Sequence, residues 1–205
     1  DQVLAVGYGQ AYMSADDVRY DAGSNVIMQY EVALCDVKPV NPETTVVGFV
    51  FGGKDGEENA KYGTFAGYDY NSKSWVIGNF GWENGWTDIF ASAPYEWTLP
   101  NTDESAGALV PATWHRLTLK IEGKKASLYV DGALAVETEK DCITVPANSE
   151  DPKFNKLAPI LYNCGKAIVD NIKFTTDLTF NIEKNTGNVD LADYNISTTD
   201  RAFLT

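Results

Sequence analysis

Apolar and polar residues alternate with a period of two along most of this chain, the repeat of a strand with one face on a core. Over 26–34, Val26, Met28, Tyr30, Val32 and Leu34 fall on one face, with Gln29 and Glu31 on the other. The run VVGFVF at 46–51 predicts a more deeply buried strand. Leu117, Leu119 and Ile121 alternate with Arg116, Thr118 and Lys120, which predicts a half-buried strand. Glu122-Gly123-Lys124-Lys125 predicts a turn, and 126–130 the returning strand. Asp131-Gly132 is a tight-hairpin signal, and Ala133–Val136 continues the meander. Later strands are predicted at 157–162 and 167–174. No segment predicts a long helix, and no internal repeat is evident. Short strands parted by Gly, Asn, Asp and Pro turns predict an all-β fold, a two-sheet antiparallel β-sandwich.

Three stretches break the alternation. Residues 52–61 (GGKDGEENAK) form a polar loop, 78–106 are rich in Gly, Asn, Trp and Pro, and 139–156 are acidic and contain Pro. Long loops in compact domains are often functional. After about residue 177 the composition turns polar and rich in Asn, Thr and Asp. The chain therefore divides into a ligand-binding domain over 1–177 and a tail over 178–205 that leads toward a further module. A length of 205 residues suits one large all-β domain, with enough chain to bury a core without disulfides. Asp1 fits the start of a mature or excised chain.

Charge narrows the partners. There are 29 Asp and Glu against 16 Lys and Arg, a net charge of -13, which opposes nucleic acid and anionic membrane surfaces. It also disfavours acidic polysaccharides and leaves neutral ligands and cations open. No apolar run approaches the roughly 18 residues of a membrane span. The cysteines Cys35, Cys142 and Cys164 are odd in number, so at most one disulfide forms within the chain. Their spacing, with a single histidine, does not fit zinc, and buried thiols are the simpler reading.

The segment TWHRLTLKIEGKKASLYVDGALAV at 113–136 resembles the signature hairpin of laminin G-like, concanavalin A-like lectin and glucanase jelly rolls. In that hairpin a Trp opens one strand and a Tyr-Val-Asp-Gly turn ends the next. NCGKAIVDNIKF at 163–174 resembles the closing strand of the same superfamily, and the resemblance extends over about residues 1–177. It implies two curved antiparallel sheets, one of them concave. Its members include glycan-binding modules, adhesion domains and glycoside hydrolases, so the fold alone leaves the ligand open. The chain also resembles glycan-adherence modules of bacterial cell-surface systems that degrade starch or fibre. That resemblance implies an extracellular or cell-surface location and a module within a larger protein, and the acidic repulsion of the chain favours a monomer.

Catalysis finds little support. The superfamily's glucanases carry a Glu-x-Asp-x-Glu strand that sets carboxylates on one face, and no such strand exists here. Its lyases use a histidine and a tyrosine. The sole histidine, His115, lies within the family hairpin and reads as a surface or strand-start residue. No nucleophile elbow, P-loop or dinucleotide fingerprint is present. The reading is that the protein is not an enzyme.

The aromatics point to binding instead. Four of five tryptophans lie within SWVIGNFGWENGWTDIFASAPYEW at 74–97. Sugars present C–H faces that stack on aromatic rings and hydroxyls that need polar partners. Trp82, Trp86 and Trp97 would form the platform, with Asn79, Glu83, Asn84, Asp88 and Tyr95 beside them; burial of the same tryptophans is the competing reading. Gly81 and Gly85 would let the backbone bend. Trp114 reads as core and Trp75 as core or, alternatively, on the sheet face; Tyr62, Tyr68 and Tyr70 share one face, which packs against the other sheet or else lines a concave face.

Ile168, Asp170, Ile172 and Phe174 share one parity, which would turn Asp170 toward apolar neighbours. A buried carboxylate needs a cation, an Arg or Lys, or several N–H donors. The closing strand of related jelly rolls carries an Asp that binds structural calcium. The resemblance therefore implies a calcium site at Asp170 with Asp21 and Gly23, and a hydrogen-bonded or ion-paired Asp170 is the alternative. Gly187–Tyr194 resembles half of a dockerin calcium loop, but Ile182 and Lys184 fall at ligand positions and cannot donate a side-chain oxygen, so it reads as linker. The leading functional reading is a noncatalytic module for a neutral glycan, with a lean toward starch. The alternatives are a laminin G-like protein-binding adhesion domain, a hydrolase or lyase with an unrecognised site, and a passive spacer.

Overall fold

The computed structural model describes residues 4–6, 9–12, 24–36, 46–53, 62–81, 85–97, 114–143, 157–164, 166–180 and 182. Strands account for most of them: β1 (Leu4–Val6), β2 (Gly9–Tyr12), β3 (Val26–Asp36), β4 (Val46–Gly53), β5 (Tyr62–Asp69), β6 (Ser74–Gly81), β7 (Gly85–Pro94), β8 (Trp114–Glu122), β9 (Lys125–Val130), β10 (Ala133–Glu137), β11 (Leu157–Cys164) and β12 (Lys166–Thr175). They form two six-stranded sheets. One runs β1-β12-β3-β8-β9-β10 and the other β2-β11-β4-β5-β6-β7. Every pairing is antiparallel. The chain alternates between sheets at its two ends and builds local meanders in the middle, which is a jelly-roll β-sandwich.

Alternation decides what faces the core. On β3, Val26, Met28, Tyr30 and Val32 point inward, level with Ile121, Leu119, Leu117 and His115 of β8. The opposite sheet contributes Val47, Phe49 and Phe51 from β4, Tyr68 from β5, and Trp75 and Ile77 from β6. Tyr30 crosses the interior: its ring meets Phe49 edge-on at 5.0 Å, and its hydroxyl donates to the Gly48 carbonyl at 2.8 Å. Gly48 stands directly opposite Gly67. A Cβ on Gly67 would lie 2.2 Å from the Val47 carbonyl oxygen and 2.6 Å from the Gly48 Cα, so β4 and β5 approach too closely there for any side chain.

The predicted turns form as their residues require. Gly123 takes φ 62°, and Asp131 and Gly132 take φ 51° and 80°, the paired positive angles of a tight hairpin turn. Two expectations change. Thr118 is fully buried on the outward face of β8, where its hydroxyl donates to Gln29 at 3.0 Å, so this strand is covered more than half. The stretch 78–106 is also not irregular throughout, because it contains the end of β6 and all of β7. Gly, Asp, Ala, Ser and Pro dilute the alternation of β7, which lies at the edge of its sheet.

Candidate functional site

The outward face of the second sheet is apolar, with Val46, Val50, Phe65, Val76 and Ile160 buried on it. It opens at the edge, where Trp86 is half-buried and Ile89 is 57% exposed. Pairing shifts between β6 and β7 set Phe80 against Trp86, Asn79 against Asp88 and Gly78 against Ile89. Trp86 and Ile89 thus share the outward face. The indole lies over Gly78, whose missing side chain leaves it room: a Cβ there would be 3.1 Å from the ring.

The orientation of Trp86 is fixed twice. Its ring meets Phe65 edge-on at 5.1 Å, and its Nε1–H donates to Asp69 Oδ2 at 3.1 Å. Asp69 is only 4% exposed, and its other oxygen accepts from the Asn71 backbone N–H at 3.1 Å. Gly67, between Phe65 and Asp69 on the same face, has no side chain to part them. A half-exposed aromatic ring held by a buried carboxylate is preorganised, so little rotamer entropy is lost when a ligand settles on it.

The structure separates the residues that the sequence grouped. Trp82, Glu83 and Asn84 lie outside the described residues. Asn79 and Asp88 join through a 3.3 Å bond from Asn79 Nδ2 to Asp88 Oδ2, but they sit on the inward parity, opposite Trp86. Thr64, buried beside them, donates to Asn79 Oδ1 at 3.4 Å and to the Cys142 carbonyl at 3.1 Å. Trp97 is corrected outright as a platform: it is 4% exposed and belongs to the core. It packs on Tyr68 at 5.4 Å and Trp75 at 5.7 Å. Tyr95 is partly buried against the same cluster. Trp75, Trp114 and Tyr68 are buried as expected; the Tyr62 side chain lies outside the described residues.

His115 stands at the start of β8, as one of its two readings had it, but it is not a surface residue: it is 6% exposed and faces the core. Its Nδ1 meets Asp131 Oδ2 at 2.6 Å, and its ring stands edge-on to Trp97 at 4.6 Å. The other Asp131 oxygen accepts from the Arg116 backbone N–H at 2.9 Å. Burial, and then the Asp131 charge, hold the Tyr95 hydroxyl above its ordinary 10.0. Burial raises that of Tyr68 too. Asp69 and Asp131 escaped the sequence reading because Asp69 closes β5 just before a polar turn and Asp131 lies in one; the Asp-Gly hairpin signal was the only hint at Asp131.

Asp170 does not point into the core. Ala167 and Val169 take the buried positions, and Ile172 and Phe174 are 39% and 38% exposed. A pairing irregularity between Asp170 and Lys173, with Asn171 at φ 52°, breaks the assumed parity. Asp170 stands half-buried on the outward face, level with Glu31, and accepts from the Asn171 N–H at 2.7 Å. Glu31 in turn binds Arg116 Nε at 3.0 Å and Asn171 Nδ2 at 2.7 Å. Asp21 and Gly23 lie outside the described residues, among which no cluster of three potential metal ligands occurs. Cys142 is a buried free thiol whose pKa burial raises from 9.0; the side chains of Cys35 and Cys164 lie outside the described residues.

No protein-family model matches the chain, and no curated protein matches it. Several solved structures are similar. The carbohydrate binding module CBM66 from Bacillus subtilis aligns at 16% identity and TM-score 0.48, over 82% of this chain and 83% of that one. A Bacillus subtilis protein of unknown function with a galectin-like fold aligns at 10% identity and TM-score 0.48, over 85% and 89%. Sheep galectin-11, in complex with glycerol, aligns at 10% identity and TM-score 0.45, over 82% and 98%.

Proposed function

We propose that this domain is a noncatalytic carbohydrate-binding module for a neutral glycan, acting outside the cell or at its surface. Trp86 carries the reading. It is half-exposed at a sheet edge, held by Phe65 and Asp69, beside the exposed Ile89. A sugar ring lays its C–H face on the indole, and its hydroxyls find the exposed polar rim of β7, including Thr87 and Ser92. The net charge of -13 favours neutral glucans over uronates. Within that class we favour an α-glucan such as starch, on the resemblance to surface adherence modules. A binding rather than a catalytic role is supported by His115: the one histidine is buried and committed to Asp131, away from Trp86.

Native affinity electrophoresis through starch, xyloglucan, β-glucan, mannan or pectin tests this. Retardation in one neutral polysaccharide, strongly weakened in a folded Trp86→Ala variant, is the expected result. Migration unchanged in every gel would remove the glycan reading. Weight would then move to the laminin G-like protein-binding reading, which the 57% exposure of Ile89 favours.

A further inference from the structure

We infer that the domain carries a second glycan contact at the end of the sandwich, built on Tyr95 and Asp131; this rests on the glycan reading above. Three segments converge there from both sheets: the β5–β6 turn (Tyr70–Lys73), the chain leaving β7 (Tyr95–Trp97) and the β9–β10 turn (Asp131–Gly132).

Tyr95 is held on every side yet remains only half-buried. Its N–H donates to the Lys73 carbonyl at 2.8 Å, and its own carbonyl accepts from the Tyr68 hydroxyl at 3.1 Å. Its ring lies on Trp75 at 5.1 Å and 39°, with His115 edge-on at 6.1 Å. Asp131 is close enough for its charge to raise the Tyr95 pKa. The Asp131 side chain is 31% exposed, and each oxygen is oriented by one donor, His115 Nδ1 or the Arg116 N–H. Each carboxylate oxygen accepts more than one hydrogen bond, so the exposed part of the group still serves a ligand hydroxyl.

This repeats the chemistry at Trp86. There, too, a half-exposed aromatic stands with a carboxylate fixed by one ring N–H and one backbone N–H. Trp86 lies near the start of β7, and Tyr95 stands just past its end, nine positions later. A short oligosaccharide engages one contact at a time, whereas a polysaccharide engages both. Linked contacts of this kind raise affinity for the polymer by roughly 100-fold or more over a single site.

The test compares wild type, Trp86→Ala, Tyr95→Ala, Asp131→Asn and the Trp86→Ala/Tyr95→Ala double variant. Each is run in gels of the polysaccharide that retards the wild type and titrated calorimetrically with a tetrasaccharide of the same linkage. Two oligosaccharides per wild-type protein are expected, and one per protein for each folded single variant. Retardation should weaken at least tenfold in each single variant and vanish in the double. Amide chemical-shift mapping on the wild type makes the test independent of variant folding, with separate shifts predicted around Lys73–Tyr95–Asp131 and around Trp86–Asp69. One bound oligosaccharide per wild-type protein, with shifts confined to Trp86–Asp69, would overturn the second contact and leave the glycan reading intact. A wild type that binds no polysaccharide would overturn both.

Discussion

Replacing Trp97 by alanine separates the core from the platform. Its indole is 4% exposed and makes three ring contacts, with Tyr68 at 5.4 Å, Trp75 at 5.7 Å and His115 at 4.6 Å. Removing a buried Trp side chain costs about 3–5 kcal/mol from lost transfer energy and the cavity left behind. The rigid surroundings oppose collapse, since Tyr68 is tied to both Tyr95 and Trp97 through its hydroxyl. A loss near about 4 kcal/mol is therefore expected. At about 2–4 °C per kcal/mol for a chain of this size, the melting temperature falls by roughly 8–16 °C. Urea titration followed by circular dichroism reads the same loss as a lower midpoint at unchanged slope. A loss under about 1 kcal/mol, accompanied by loss of glycan binding, would mean that Trp97 faces ligand and that the burial argument is wrong.

Three further outcomes follow from single features. Gly67→Ala places a methyl 2.2 Å from the Val47 carbonyl oxygen, against backbone that cannot swing away, and should destabilise by about 1–3 kcal/mol or more; an unchanged urea midpoint would show that β4 and β5 are not so close. Tyr68 and Tyr95 have hydroxyls raised above 10.0, so folding favours their neutral forms. Their contribution is complete below pH 10, the unfolded value, and is lost as pH rises further. Ultraviolet titration should show at least two late phenols, those of Tyr68 and Tyr95, that ionise normally in urea, and simple titration of every tyrosine in the native protein would contradict this. Asp170→Ala, on the outward face, should change stability by under about 0.5 kcal/mol with or without calcium; a calcium-dependent loss of several kcal/mol would instead mark Asp170 as a cation ligand.

The sandwich was legible because period two survives wherever one face meets the core. Leu117, Leu119 and Ile121 were placed by alternation alone, as were Trp75 and Ile77. Parity failed at Asp170 because a pairing irregularity and a left-handed Asn171 reset it, and no residue type announces that break. Strand β7 was hidden by its edge position, where small and polar residues replace the alternating pattern. Tryptophan clustering in sequence drew Trp86 and Trp97 together, yet one lies on an outward face and the other ends in the core. Asp69 was out of reach for a related reason: its partner Trp86 is 17 positions away and on a strand not adjacent to its own.

The central claim is that Trp86 contacts a neutral glycan. Its most direct test follows the indole N–H resonances of the five tryptophans by heteronuclear NMR, with Trp86 assigned through Trp86→Phe, while neutral oligosaccharides are added. The account predicts a saturable shift of the Trp86 indole signal with the core signals of Trp75 and Trp97 nearly still. A saturable shift that bypasses Trp86, or no shift with any neutral oligosaccharide, would contradict it.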